Sequence, residues 1–230
     1  MHLGFKRGLS DGIPIALGYF SVSFAFGLEA VRGGLPVAVA VLISMTNLTS
    51  AGQFAGLSII LSGASFIEMA FTQLVINLRY FLMSISVSQK SDSSIRLFDR
   101  FAISFAVTDE IFAVSTSHAS VGRSYMYGLA LLPWIGWSGG TLMGALLGSI
   151  LPESVMSALG IAIYGMFIAI IVPPAKKSAP VALSILTSVV LSCIFAALGL
   201  SGGFAIIICA LVSAGLFAAI RPIESEASEK

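Results

Sequence analysis

An all-α, polytopic integral membrane protein is expected from three features of the chain: apolar runs long enough to cross a bilayer, too few charged residues to coat a water-facing surface, and polar clusters confined to a few places inside those runs. Of 230 residues, 57% are hydrophobic and 10% charged, with a mean hydropathy of +1.00. Soluble domains carry about 25% charged residues. The runs exceed the length of buried soluble strands, and about ten-residue alternating segments of the kind that build a membrane barrel are absent. About eight hydrophobic segments follow, in a single transmembrane domain over residues 1–221 with a short charged tail over 222–230.

The first segment runs from about Ile13 to Leu28, with Ser10 or Asp11 as N-cap and Pro14 in the first turn, where a missing N–H costs nothing. The basic start, Lys6-Arg7, has no small-residue cleavage site after it, so a removable signal peptide is not expected. Arg32-Gly33-Gly34-Leu35-Pro36 is a turn. The second segment, Val37 to Leu61, is broken in its centre by Thr46 to Gln53, where Gly52 would let the backbone leave the helix. It is either one helix with a polar face or two half-helices, since non-helical backbone at membrane depth survives only against protein or a wet cavity.

Ser65-Phe66-Ile67-Glu68 has the form of a capping box opening the third helix. Within that helix Gln73, Asn77, Tyr80 and Ser84 share one face, while Arg79 points elsewhere and is free to pair with an acid. Residues 89–100 form a hydrophilic loop. The fourth segment, Phe101 to about Ser117, carries Asp109 and Glu110 at its centre. Neighbours lie about 100° apart on a helix, so the two acids face different ways unless the helix is broken there.

The fifth segment, Tyr125 to Leu151, places Trp134 and Trp137 in an interfacial position. It repeats Gly136, Gly140, Gly144 and Gly148 at every fourth residue, a smooth ridge for close helix packing, either internal or with a second subunit. The sixth runs from Pro152-Glu153 to Pro173-Pro174, the seventh from Ser178-Ala179-Pro180 to about Leu198, and the eighth from Ser201 to Arg221.

If all eight segments cross, Lys6, Arg7, Arg123, Lys176, Lys177 and Arg221 share one side, which the positive-inside rule makes cytoplasmic, together with the N-terminus. Loop 89–100 is then on the wrong side. That exception vanishes if the second and fourth segments are broken and re-entrant, leaving six crossings. Eight is the preferred reading.

Charged groups within such runs are costly, about 2.5–3.5 kcal/mol each on insertion scales, and so mark function. Asn47, Thr49, Gln53 and Asn77 are candidates to bind the polar end of a solute, Phe54 and Phe112 its apolar body. Asp109 or Glu110 would answer protons, or pair with Arg79. Cys193 and Cys209 are packing residues rather than a disulfide. Catalysis is not expected: His-Glu-x-x-His and the phosphate loop Gly-x-x-x-x-Gly-Lys-Ser/Thr are missing, and His2 and His118 lie apart from the acids. No metal or organic cofactor is called for, and a net charge of +1 gives no pull toward nucleic acid.

Four blocks, Asp11-Gly12-Ile13-Pro14, Ser50-Ala51-Gly52-Gln53-Phe54-Ala55-Gly56-Leu57, Asn77-Leu78-Arg79-Tyr80 and Thr108-Asp109-Glu110-Ile111-Phe112-Ala113, resemble the signature blocks of the AzlC family. The resemblance implies the large subunit of a two-component exporter of branched-chain amino acids. Such exporters sit in the bacterial inner membrane, are driven by the proton gradient and work with a small AzlD-type membrane partner. Tyr80 stands where that family often has His, and Ser50 where it has Ala or Gly. A tyrosine would not carry protons at neutral pH.

Overall fold

The computed structural model describes residues 4–147, 178–200 and 202–220, with positions 154, 168, 172, 175 and 176. Every regular element within them is helical. The helices are α1 (Phe5–Arg32), α2 (Val37–Thr46), α3 (Ser50–Leu61), α4 (Phe66–Lys90), α5 (Leu97–Ala106), α6 (Asp109–Thr116), α7 (Arg123–Leu147), α8 (Ala179–Ala197) and α9 (Gly202–Ile220). Among the described residues α1, α4, α7 and α8 are long and apolar enough to cross a membrane. The second and fourth expected segments are each two short helices, and most of the sixth, with Gly148 and the tail, lies outside the described residues. About eight segments is therefore met only in part.

The chain divides into two compact units, residues 1–57 with 77–164, and 58–76 with 165–230. The first is built on α1 and α7, which run parallel in intimate contact. Along the pair, Gly128 faces Phe5, Gly136 faces Ala16, Gly140 faces Phe20 and Ser23, and Gly144 faces Phe24. A Cβ on Gly136 would stand 2.5 Å from the Ala16 carbonyl oxygen, so the ridge works by bringing backbones together, and within one chain. The run Gly136-Trp137-Ser138-Gly139-Gly140 matches the letters of a hydrolase nucleophile elbow, but it lies in unbroken helix rather than at a strand-to-helix turn. α1 starts well before the expected Ile13, leaving Pro14 inside the helix. Gly8 and Gly12 seat that extra length on Tyr125 and Leu129.

The short helices form two half-depth hairpins. α5 begins beside the N-terminal end of α7, where Arg123 Nε is 2.9 Å from Asp99 Oδ1 and the Tyr127 hydroxyl donates to the same oxygen at 3.0 Å. It ends at Ala106, and α6 returns to the same level, where Lys90 Nζ donates to the Thr116 and His118 carbonyls. Ten residues of helix rise about 15 Å, half a hydrocarbon core. α2 leaves the opposite end, with Ala40 clustered on Phe26 and Ala30, and reaches mid-length of α7 at Met45, whose carbonyl accepts from Trp134 Nε1 at 2.9 Å. α3 then turns back, Gln53 at Trp137 and Leu57 again in the cluster of Phe26, Ala30 and Ala40.

The second and fourth segments are thus each broken into two short helices that double back at mid-length of α1 and α7. This geometry also gathers Lys6, Arg7, Lys90, Arg96, Arg100 and Arg123 at one end, which we call the basic end. The motif of one long helix followed by a broken pair occurs twice, α1 with α2–α3 and α4 with α5–α6, the second copy inverted relative to the first.

In the second unit α8 and α9 form a hairpin whose turn uses Gly199 at φ +70. Ser188, Ser192, Ala196, Ala205 and Cys209 line a shallow groove between them. Cys193 and Cys209 are free thiols, the first exposed and the second buried. Ser65 Oγ accepts the Glu68 N–H at 3.2 Å, as a helix N-cap should.

Candidate functional site

The centre of the first unit lies where the two hairpin tips meet the middles of α1 and α7. The α2–α3 break falls at Asn47–Thr49, before Gly52, which sits inside α3. Thr46 Oγ1 donates back to the Leu42 carbonyl at 2.8 Å, a local bond that competes with the helix ladder. Asn47 then turns extended, at φ −146, and its Oδ1 accepts the Thr49 N–H at 2.9 Å. Thr49 Oγ1 is buried and has no hydrogen-bond partner among the described residues. The α5–α6 break is made by Val107 and Thr108, both extended, and Thr108 caps α6 by accepting the Ile111 N–H.

Two side chains join these tips: Tyr19, which the sequence did not single out, and Trp137, which it placed at an interface. Tyr19, at mid-length of α1, has its hydroxyl 2.5 Å from Thr108 Oγ1 and 2.5 Å from Glu110 Oε2. Its ring meets Trp137 edge-on, with centroids 5.3 Å apart. Trp137 Nε1 donates to Gln53 Oε1 at 2.9 Å, Gln53 Nε2 donates to Ser44 Oγ at 2.5 Å, and Ser44 is 2.7 Å from Thr141 Oγ1. Trp137 is 1% exposed, so the interfacial position expected for it is corrected: its indole N–H has a buried amide to bind and needs no membrane surface. Tyr19 was the first segment's single phenol, a weak signal without knowledge of what lay opposite.

The adjacent acids part company, as their 100° separation requires. Glu110, though exposed, reaches the Tyr19 hydroxyl, while Asp109 makes an ion pair with Arg79, Oδ2 to NH1 at 2.8 Å. Arg79 also donates to the Tyr80 hydroxyl at 3.2 Å and lies 5.0 Å from that ring's centroid. The Arg79 and Asp109 side chains are 42% and 47% exposed. Charges at bilayer depth need cover from protein or water. Asn77 lies two residues from Arg79 on α4 and is half-buried; Phe54 packs edge-on against Phe26, and Phe112 lies against the core around Tyr19. Gln53 and Glu110 are thus bridged by Trp137 and Tyr19, Asp109 and Arg79 join at the α6 tip, and Phe54 sits apart in the α2–α3 cluster.

A family model described as AzlC protein matches residues 14–151, which contain both hairpins and most of the α1–α7 pair. The chain belongs to the AzlC family. An AzlC-family assignment agrees with the relatives. The chain is 35% identical over 174 residues to a membrane protein of Archaeoglobus fulgidus, covering 75% of this chain and 76% of that one. It is 30% identical over 171 residues to the inner membrane protein YgaZ of Escherichia coli, covering 71% of this chain and 70% of that one. No solved structure matches the chain. Among AzlC-family proteins this chain is accordingly a membrane transport-related protein, and its polar seam is the part that family membership alone does not explain.

The basic end carries its own polar collar. Asp11 Oδ1 is 3.0 Å from Arg7 Nε, and Asp11 Oδ2 accepts from the Tyr125 hydroxyl at 2.9 Å; His118 Nε2 is 3.0 Å from that hydroxyl. Asp99 is held below the usual carboxylate range, first by the Arg96 backbone N–H and then by the Tyr127 hydroxyl and Arg123.

Proposed function

We propose that the protein is a proton-coupled carrier, not an enzyme, that exports branched-chain aliphatic amino acids with a small AzlD-type membrane subunit as partner. The observation that carries the reading is the pair of helix starts at mid-depth, Ser50 of α3 and Asp109 of α6, joined through Trp137 and Tyr19. Broken helices whose half-helix ends face a central site are a recurring way for carriers to hold charged solutes within a membrane.

The two starts differ in charge, and the difference suits a zwitterion. The first turn of α3 contains no acid, so the positive end of its dipole is available to a carboxylate, with the Thr49 hydroxyl, which has no partner among the described residues, beside it. The first turn of α6 carries Asp109 and Glu110, which offset that dipole and attract an ammonium group. Glu110, exposed yet bonded to Tyr19, is the group we assign to proton exchange. An aliphatic side chain needs only apolar neighbours, such as Phe112.

Two further points support the reading. Six basic residues gathered at one end support a reading in which that end, with the N-terminus, faces the cytoplasm across the inner membrane. The half-exposed Arg79–Asp109 pair needs a cover, and a small membrane subunit would supply one. The test is uptake of labelled leucine and valine into proteoliposomes holding the chain with its small partner under an imposed pH gradient. Saturable, gradient-dependent flux is expected; flux that neither saturates nor responds to the gradient indicates a channel and refutes the proposal.

A further inference from the structure

We propose that the hollow between the C-terminal half of α4 and α5 is a second solute-binding position, one that holds a small acid with an aliphatic body by its carboxylate. It lies on the way from the basic end to the α6 tip. This inference rests on the export reading and adds the place where the solute is first captured.

The hollow measures about 260 Å³, just below the ~300–1,000 Å³ typical of drug-sized ligands and suited to one small metabolite. Its polar wall is ordered. Ser84 and Ser88 line it four residues apart on α4, continuing the stripe that runs through Asn77 and Tyr80, and Ser91 lines it just past the helix end. Arg100 and Ser104, one turn apart on α5, line it from the other side. Phe81, Ile103 and Val107 supply the apolar surface.

Arg100 gives the hollow its chemistry. Its NH1 donates to Ser88 Oγ at 2.9 Å, and among the described residues no carboxylate lies within salt-bridge distance of it. A guanidinium has five N–H donors in a fork that matches a carboxylate, so most of its capacity is unspent. A cation with no acid partner among the described residues, beside a row of hydroxyls and an apolar wall, fits an amphiphilic anion better than water alone. The inner end is Val107, next to Thr108, whose hydroxyl is bonded to Tyr19. From Arg100 to Val107 is about 10 Å of helix, so a solute moving one body length inward passes from the guanidinium to the central tips.

The experiment uses the chain with its small partner in proteoliposomes, with Cys193 and Cys209 replaced by alanine and Ser104→Cys introduced. A membrane-impermeant methanethiosulfonate is applied with and without L-leucine or L-leucinamide. At about ten times its dissociation constant L-leucine should slow labelling about tenfold. L-leucinamide, lacking the carboxylate, should not, and Arg100→Gln should abolish the slowing by L-leucine. Ser88→Cys provides a second reporter if Ser104→Cys does not assemble. Leucine that is exported but slows neither reporter overturns this site and leaves the export reading standing. Leucine that is neither exported nor protective overturns both, and protection that survives Arg100→Gln removes the carboxylate role.

Discussion

Replacing Glu110 by glutamine tests the centre of the mechanism with little geometric disturbance. The amide keeps an oxygen that can accept from Tyr19, whose hydroxyl lies 2.5 Å from Glu110 Oε2, so the contact survives without its charge. A hydrogen bond to a charged group contributes about 1.5–3 kcal/mol and a neutral one about 0.5–1.5, so the exchange costs on the order of 1–1.5 kcal/mol. That is about a five- to thirteenfold loss in any step that needs only the contact. A step that requires Glu110 to gain and lose a proton is lost entirely.

Two assays separate the cases. Leucine counterflow at equal pH on both sides of a proteoliposome should fall about thirteenfold at most in E110Q, while export driven by a pH gradient should fall to background. Tyr19→Phe should weaken both, and adding it to E110Q should cost less than it does alone, by a coupling of about 0.5–3 kcal/mol. Gradient-driven export by E110Q at the parental rate would refute the assignment of protons to this carboxylate.

The same structure fixes four other outcomes. Gly140→Leu should destabilise the protein by at least the ~1–3 kcal/mol typical of overpacking, because Phe20 and Ser23 occupy the space, whereas Gly139→Leu, with nothing within 4 Å of its Cβ, should leave the melting temperature nearly unchanged. Asp99 has a lowered pKa when folded, so its contribution is complete above the unfolded value of about 3.9 and disappears as pH falls through the folded one; melting of detergent-solubilised D99N should therefore depend less on pH below 5 than that of the parent. Trp137→Phe leaves the buried Gln53 Oε1 without its donor and should cost about 1–3 kcal/mol in stability; in W134F, where Trp137 is the remaining tryptophan, emission should be blue-shifted. Ser93→Cys, in the cysteine-free background, should react with impermeant reagents only from the side that carries the N-terminus; reaction from the opposite side would restore full crossings for the second and fourth segments.

Much of this arrangement can be read from one dimension. Sheer apolar length dictates membrane helices, because only helices and closed barrels satisfy the backbone in lipid and the alternating segments of a barrel are missing. Clusters such as Thr46 to Gln53 and Thr108-Asp109-Glu110 reveal the breaks, since local side-chain bonds and extended residues there compete with the helix. The period of four in Gly136, Gly140 and Gly144 announces a close contact, and the four AzlC-like blocks announce the family. Each of these signals lives within a few residues of sequence.

Direction and partnership do not. Whether α3 continues across or turns back depends on where Gln53 finds Trp137, a residue 84 positions away. The direction Glu110 takes depends on Tyr19, 91 positions away. A hydrophobic run has the same composition whether it crosses or returns, so the placement of six basic residues at one end, the use of Trp137 as a core donor and the continuation of the α4 polar stripe into the hollow at Arg100 were settled only by packing between distant helices.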